Sequence, residues 1–168
     1  VADAGGDDGV DGRALVQGAG QHLGAGVFRN AAGSDLYNKN VLLRRDGQGF
    51  GEAYGWGTFV DGAGDDEITY GNPGGGVGLN GGFGFAFSIG GKDKHTLGSQ
   101  AGWGFAENSV MAGKPLAKAM TFAVFIDEGG QADTYSRPNI QMTNIGDGAS
   151  WLQPKPSTKI KKGVGVDR

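Results

Sequence analysis

The chain has 168 residues, which suggests one domain, and 36 of them are glycine, about three times the usual share of roughly 7 %. Its formal charge of −3 gives no reason to expect a nucleic-acid partner, and no apolar run reaches the roughly 20 residues needed to span a membrane. There is no cysteine, which excludes disulfides, thiol chemistry and cysteine-based zinc sites. The chain opens at Val1 rather than at methionine, so we expect a processed or truncated end.

A partial unit at residues 1–10 is followed by three copies of one pattern, at 17–37, 48–70 and 75–97. Each copy contains G-x-G-x-x-x-G-x-G, written GAGQHLGAG, GFGEAYGWG and GVGLNGGFG, and runs without a gap to an aspartate nine residues after its last glycine. That aspartate lies in a G-x-D-x-(Tyr/Ile/His) motif. A tandem repeat is therefore predicted. Its structural glycines are Gly18, Gly20, Gly24, Gly26, Gly49, Gly51, Gly55, Gly57, Gly76, Gly78, Gly82 and Gly84.

The first glycine block looks like a phosphate-binding loop. A dinucleotide loop, however, has G-x-G-x-x-G spacing, occurs once and precedes a helix. This block has another spacing, no helical pattern after it, and two sister blocks. It is interpreted as a structural repeat.

Extended structure is predicted for each unit, as two strands and a tight turn, because glycine at this density would destabilise a helix. In a strand the four glycines of a block share one face, and the opposite face is mostly apolar. Either the apolar faces stack from unit to unit into a core, or the glycine faces meet and bring two sheets closer than the usual ~10 Å. Both packings can hold together.

A fourth, degenerate unit at 100–135 resembles a terminal cap. It starts at the GWG of Gly102, carries Asn108 and Val110 in place of glycines, and closes at Asp133 after about 14 inserted residues. KPLAKAM at 114–120 predicts one short helix, and MTFAVFID at 120–127 predicts a strand. The expected fold is all-β: a repeat β-solenoid or a closely stacked β-sheet array, with this helix near the C-terminal end.

The repeat domain is predicted to cover residues 1–149, followed by a basic tail at 150–168. The tail is interpreted as a solvated segment or, alternatively, as a docking segment for an acidic partner. Its last residues, GVGVD, are compatible with one more strand. The lysines concerned are Lys155, Lys159, Lys161 and Lys162.

The closing motifs at 33–37, 64–68 and 91–95, and more loosely at 6–10, resemble half of the calcium-binding nonapeptide of RTX proteins, GGxGxDxUx. In that family the aspartate and turn carbonyls bind Ca²⁺ in a parallel β-roll. RTX nonapeptides run in uninterrupted tandem, whereas these motifs recur only every 27 to 31 residues. More broadly, the chain resembles glycine- and Asp-turn-rich repeats of large exported bacterial proteins, which implies an extracellular, cell-surface or periplasmic location.

The aspartates of the closing motifs share one register, so stacked units would place them in a column. Unpaired carboxylates in a column repel, which predicts cations or donors between them. The alternative is that each aspartate caps its own turn by accepting backbone N–H groups. Asp7–Asp8 and Asp65–Asp66 double the charge and are the best cation candidates. The predicted Ca²⁺ ligands are Asp8, Asp35, Asp65, Asp66 and Asp93.

No catalytic set is predicted, and the chain is not expected to be an enzyme. His22 and His95 occupy different positions in their units, so each is expected at the surface rather than in a metal pair. No nucleophile elbow surrounds Ser99, which argues against a Ser/His/Asp set with His95 and Asp93. Nothing selects a carboxylate pair for glycoside hydrolysis.

The predicted function is structural or adhesive: a repeat protein of an exported bacterial surface assembly that associates with itself or another protein. The alternatives are a Ca²⁺-dependent β-roll-like module and a carbohydrate-binding or carbohydrate-active protein. Six aromatic residues bear on the choice, because exposed rings stack on sugars or partners. Their parity, shared with leucine and valine, places them in the core instead. They are Tyr54, Trp56, Phe83, Phe85, Trp103 and Phe105.

Overall fold

The computed structural model describes residues 1–39, 45–71, 73–97, 102–107, 120–129, 133–136, 150–152 and 161–167, and within them it is all-β without a helix. The strands are β1 (Gly9–Val10), β2 (Ala14–Val16), β3 (Gly20–Gln21), β4 (Ala25–Arg29), β5 (Leu36–Tyr37), β6 (Arg45–Gly47), β7 (Phe50–Glu52), β8 (Trp56–Val60), β9 (Glu67–Tyr70), β10 (Val77–Leu79), β11 (Phe83–Ile89), β12 (Lys94–Leu97), β13 (Ala106–Glu107), β14 (Thr121–Glu128), β15 (Thr134–Ser136), β16 (Ser150–Leu152) and β17 (Lys161–Asp167).

Three large sheets are built from these strands, and every complete copy gives one strand to each. The glycine sheet has the order β13-β10-β7-β3, the long sheet β16-β17-β14-β11-β8-β4, and the turn-strand sheet β1-β5-β9-β12-β15. A short fourth sheet pairs β2 with β6. All pairs are parallel except β16 with β17. The prediction of all-β structure is confirmed for the described residues.

Strand pairing keeps equivalent glycines of the copies side by side. Gly51 pairs with Gly20 on one side and Gly78 on the other, and Gly57 pairs in the same way with Gly26 and Gly84. The varying joins between copies therefore do not disturb the register of the blocks.

The fourth copy starts two residues later than predicted. Gly102 forms a bridge with Gly74, and Ala106 pairs with Gly78, so Gly104 occupies the position of Gly76. The two equivalent glycines have φ values of 77° and 68°, in the left-handed region that favours glycine. This backbone requirement fixes the register. Asn108 and Val110 lie outside the described residues.

Glycine faces meet between the glycine sheet and the long sheet. A Cβ placed on Gly51 would lie 2.1 Å from the carbonyl oxygen of Phe83, and one on Gly57 would lie 2.1 Å from the carbonyl oxygen of Phe50. Real Cβ atoms do not approach backbone oxygen so closely, so only glycine permits this packing. The second of the two predicted packings is therefore present.

A tight turn joins the two strands of each block. In the third copy, the N–H of Gly82 donates to the Leu79 carbonyl at 2.8 Å, and Asn80 and Gly81 between them both have positive φ. Two positive φ values define a type I′ turn, for which Asn-Gly is the preferred pair. The second copy uses the less suited Ala53 and Tyr54 at φ values of 50° and 63°.

The core lies between the long sheet and the turn-strand sheet. The core residues of the long sheet lie on the same face as its glycines, two positions later in each strand, as Phe28 follows Gly26 and Phe59 follows Gly57. At these positions the space between the sheets holds aromatic rings. Phe28 and Phe59 stack with centroids 5.5 Å apart, and Tyr37 meets both edge-on. The other buried members are Ile68, Tyr70, Ala86, Leu97, Trp103 and Phe125.

The expectation that the opposite face forms the core is wrong for much of the chain. Tyr54 and Trp56 are exposed, and Phe83, Phe85 and Phe105 are half-buried; of the six predicted core aromatics only Trp103 is buried. The physical reason is that the glycine face of the long-sheet strands is the inner face, and the core rings Phe28 and Phe59 lie on that same face. Leu23 and Val27 are exposed for the same reason.

The C-terminal predictions have different outcomes. The strands expected at 120–127 and in the final GVGVD are present as β14 and β17. Residues 114–119 of the predicted helix, together with Lys155 and Lys159, lie outside the described residues. Because β16 and β17 join the long sheet, the described parts of 150–168 belong to that sheet rather than to a detached tail. No helix in the described residues is long and apolar enough to cross a membrane.

We expect Gly51→Ala to lower the free energy of unfolding by about 3 kcal/mol or more, because its methyl group would overlap the backbone of Phe83. The matched control is Gly9→Ala, whose Cβ meets nothing within 4 Å. Urea denaturation of both variants measures the difference. Equal stability of the two variants would contradict the backbone contact between the sheets.

Candidate functional site

A ladder of buried carboxylates runs along the turns that follow the long sheet. Asp35 Oδ1 accepts the backbone N–H of Asp8 at 2.7 Å, and Asp66 Oδ1 accepts that of Asp35 at 2.7 Å. Asp93 Oδ1 accepts the N–H of Asp66 at 3.0 Å, and Asp133 Oδ1 accepts that of Asp93. Each repeated aspartate therefore ties its own turn to the turn of the preceding copy.

Because each Oδ1 atom accepts a backbone N–H, a hydrogen-bond donor lies between successive carboxylates of the column and offsets their repulsion. The predicted donors between the aspartates are present, and they are backbone N–H groups. The alternative that each aspartate caps its own turn is wrong, because the bonded N–H belongs to the neighbouring copy. The exposed Asp65 also bonds to a neighbouring copy, but in the opposite direction: it accepts the N–H of Lys92 in the following copy at 2.9 Å. Ca²⁺ binding by the five predicted ligands stays a prediction.

A second polar column stands five or six residues before the first, where the strands of the long sheet end. Its members are Asn30, Asp61, Ser88 and Asp127, all buried. Asn30 Nδ2 donates to Asp35 Oδ2 at 2.7 Å, and Ser88 Oγ donates to Asp93 Oδ2 at 2.6 Å. The two columns lie side by side in the interior and are hydrogen-bonded to each other. Together they are called the polar compartment.

The second copy has a carboxylate in both columns, which creates an acidic cluster. Asp35, Asp61 and Asp66 each offer a carboxylate oxygen within 4.8 Å of the others. Tyr37 donates its hydroxyl to Asp61 Oδ1 at 2.8 Å. Burial, together with the hydrogen bond to Asp61, raises the pKa of Asp66 to about 8. Burial also raises the pKa of Asp35 and of Asp61.

The third copy forms a related cluster that contains a histidine. Asp93, His95 and Asp127 lie within 4.8 Å of one another, and the His95 Nε2 and Asp127 Oδ2 atoms are 2.6 Å apart. The hydroxyl of Tyr70 is hydrogen-bonded to His95 Nδ1 at 2.8 Å, and Tyr135 donates its hydroxyl to Asp127. Burial raises the pKa of Asp93 to about 7, although the Ser88 hydroxyl lowers it in part.

The predicted surface position of His95 is wrong, whereas His22 is exposed as predicted. His95 is fully buried because the last residue of the G-x-D-x-(Tyr/Ile/His) motif points into the core. Its counterparts Ile68 and Tyr37 are fully buried as well. Ser99, the serine weighed against a catalytic set, lies outside the described residues.

The chemistry open to both clusters follows from their burial. Every member of the two clusters is at most 3 % exposed, so a substrate has no direct contact with them. Buried carboxylates without charged partners bind protons or small cations. Comparison of the chain with protein-family models, with curated proteins and with solved structures found no match.

Sequence reasoning missed Asp61 and Asp127, although a signal for this column was present. Asn30, Asp61 and Ser88 each lie five residues before the aspartate of their copy. A polar residue repeated at one register beside an apolar strand indicates a buried polar column. This position changes residue type from copy to copy, whereas the glycines and the motif aspartates are identical in each complete copy.

The stability of the protein, measured with a chelator present, is expected to fall as the pH rises from about 5 to about 9. Asp66 and Asp93 have raised pKa values, so the folded state holds protons that the unfolded state has released. Their contribution is complete below the unfolded pKa near 3.8 and is lost as the pH passes the folded values of about 7 and about 8.

Asp66→Asn tests this dependence. The asparagine Oδ1 still accepts the N–H of Asp35, and its amide takes the place of the acid proton toward Asp61. The variant should show a flatter fall of the urea midpoint with pH. A stability that rises across this interval would overturn the assignment of protons to the buried carboxylates.

Proposed function

We propose that the chain is a parallel β-solenoid that serves as a structural module and associates with copies of itself through the outer face of its long sheet. The solenoid path is supported by the parallel pairing of successive copies and by the single strand that each contributes to every large sheet. An exported or cell-surface setting belongs to the same proposal, on the resemblance of the glycine- and Asp-turn repeats alone.

The observation that carries the proposal is the outer face of β8, β11 and β14. On this face the side chains of the three neighbouring strands are uncharged, and all except Thr58 are apolar. The first charged residue is Glu128, at the end of β14. Trp56 and Phe85 stack with centroids 4.9 Å apart, and Phe85 is 5.9 Å from Phe122. Its members are Trp56, Thr58, Val60, Phe83, Phe85, Phe87, Phe122, Val124 and Ile126.

The outer face of the turn-strand sheet has the opposite character. Lys39 and Lys94 both form ion pairs with Glu67 at 3.0 Å, and these contacts lower the pKa of Glu67. Such a face is suited to water. Parallel sheets are normally covered on both sides, whereas on the outer face of the long sheet Trp56 is exposed and the other members are only half-buried. Apolar surface left open in this way marks an interaction surface. A second copy offers a matching uncharged face, which is why we infer self-association.

Sedimentation velocity over a range of concentrations tests this association. The wild-type chain should self-associate. The double variant Val27→Lys with Trp56→Lys should stay monomeric, since Val27 of β4 pairs with Thr58 and lies on the same outer face. Its melting temperature should change little, because both side chains are about half exposed. Leu36→Lys on the turn-strand sheet, where Leu36 is 39 % exposed, is the matched control. A monomeric wild-type chain, or equal disruption by the control, would contradict the proposal.

Carbohydrate binding is a second candidate, favoured by the position of Trp56 at the end of the ring row. Its register partners are Phe83 on one side and the small Ala25 on the other. The indole is 48 % exposed, and the alanine leaves its ring open on that side. Flat aromatic surfaces of this kind stack on sugar rings.

A glycan array separates this candidate from simple self-association. If sugars are ligands, Trp56→Ala should weaken binding by about tenfold, the equivalent of a ring contact of roughly 1.4 kcal/mol. Leu36→Ala should bind as the wild-type chain does. The absence of any bound glycan at high protein concentration would rule this candidate out.

A further inference from the structure

The acidic cluster of the second copy has an excess of buried negative charge. Asp35, Asp61 and Asp66 are at most 3 % exposed, and in the described part of the chain no lysine, arginine or histidine lies within ion-pair distance of them. Burial of an unpaired carboxylate is so costly that a charge of opposite sign, or a proton, has to accompany it.

The hydrogen bonds around the cluster leave specific oxygens without a donor. Asp61 Oδ1 accepts the Tyr37 hydroxyl, and Asp66 Oδ1 accepts the N–H of Asp35. Asp61 Oδ2 and Asp66 Oδ2 have no N–H or hydroxyl donor among the other residues that the structure describes. The same is true of Oδ1 of Asn30, whose amide group binds Asp35. Three buried acceptor oxygens on the cluster and on the asparagine bonded to it therefore lack a donor in the described part of the chain.

The third copy shows how the same framework is balanced by a protein group. There the two columns contain Asp93 and Ser88, and the imidazole of His95 lies against Asp127. At 2.6 Å this imidazole places a basic side chain directly beside the buried carboxylate. The register partner of His95 in the second copy is Ile68, which has no charge and no donor. The second copy therefore lacks the balancing group that the third copy has.

We propose that the Asp35–Asp61–Asp66 cluster binds one hard divalent cation inside the protein. Among the described residues, the acceptors left there without a donor are carboxylate and amide oxygens, and an all-oxygen set selects Ca²⁺ or Mg²⁺ over softer metals. The cation replaces the proton that Asp61 and Asp66 otherwise share, so binding releases protons and strengthens as the pH rises. The site differs from the turn sites predicted from the sequence because Asp61 supplies a ligand and the exposed Asp65 does not.

Calorimetric titration of the full chain with CaCl₂, and separately with MgCl₂, tests the site at about pH 9, above the pKa of Asp66, where most of the competing proton is lost. The wild-type chain should bind one ion. A saturating concentration should raise the melting temperature by about 5 to 10 °C over a sample in EDTA. The experiment needs no association between chains, because the cluster is interior, so its result is independent of the proposed outer-face contact.

Two variants locate the ion. Asp61→Asn should keep the hydrogen bond from Tyr37 and the fold but lose the thermal shift and most of the binding heat. Ile68→His, which introduces the imidazole found one copy further on, should lose the shift as well. Asp127→Asn in the cluster of the third copy is the matched control and should retain it.

The result that overturns the proposal is equally specific. If neither Ca²⁺ nor Mg²⁺ at about 10 mM, well above the dissociation constants of weak extracellular calcium sites, gives heat or a thermal shift, the cluster is balanced by a proton alone. A shift of equal size in Asp61→Asn would place the ion elsewhere and would overturn it too. Circular dichroism of each variant in EDTA establishes that the fold is retained.

Discussion

Close contact between two backbones is the constraint on which this structure depends. Where the glycine sheet meets the long sheet, the carbonyl oxygens of one strand lie where side chains of the other would stand, as at Gly51 and Phe83. No side chain is available there to set the distance. The distance is fixed by the glycines, and the sheets open only where the same strands carry Phe28, Phe59 and Phe125. The cross-section is therefore narrow at one end and filled with rings at the other.

This asymmetry explains why the polar compartment exists. At the wide end the chain leaves the long sheet and turns sharply, and the turn exposes backbone N–H groups toward the interior. The repeated aspartates satisfy those groups from the next copy, so Asp35 and Asp66 are structural in the same sense as hydrogen bonds of a strand. A charge is the cost of using a carboxylate for this role. The unfavourable free energy of burying the charge is not offset at Asp66 Oδ2, which accepts no backbone N–H from the described residues.

The sequence predicted this fold well where the pattern reflected a backbone requirement. Extended structure, in-register glycine blocks and the meeting of glycine faces all follow from the absence of a Cβ at fixed positions, which a sequence states directly. The direction in which Trp56 and His95 point was not predictable in the same way. The alternation of residues separates the two faces of a strand but does not say which face is the inner one. A glycine face has no side chains to bury and so gives no sign of being the inner face, which it is here.

The candidate site shows the same limit in another form. Asp35, Asp66 and Asp93 stood out because they sit in a conspicuous motif, whereas Asp61 depends on a repeated polar position whose residue type changes from copy to copy. Asparagine, aspartate and serine occupy that position in turn. A search for identical residues overlooks such a column; a search for buried polarity at a fixed register finds it.

Variation between neighbouring copies carries the functional content of a repeat like this one. The backbone pairs Ile68 with His95 as equivalent residues, yet Ile68 brings no charge to the acidic cluster of its copy, whereas His95 places an imidazole beside Asp127 in the other cluster. The outer faces differ in the same manner, since one ladder holds Glu67 and Lys94 and the other holds Trp56 and Phe85. Glycines and aspartates impose one geometry on every copy. The residues free to change on that geometry then decide where buried carboxylates cluster and which surface is apolar.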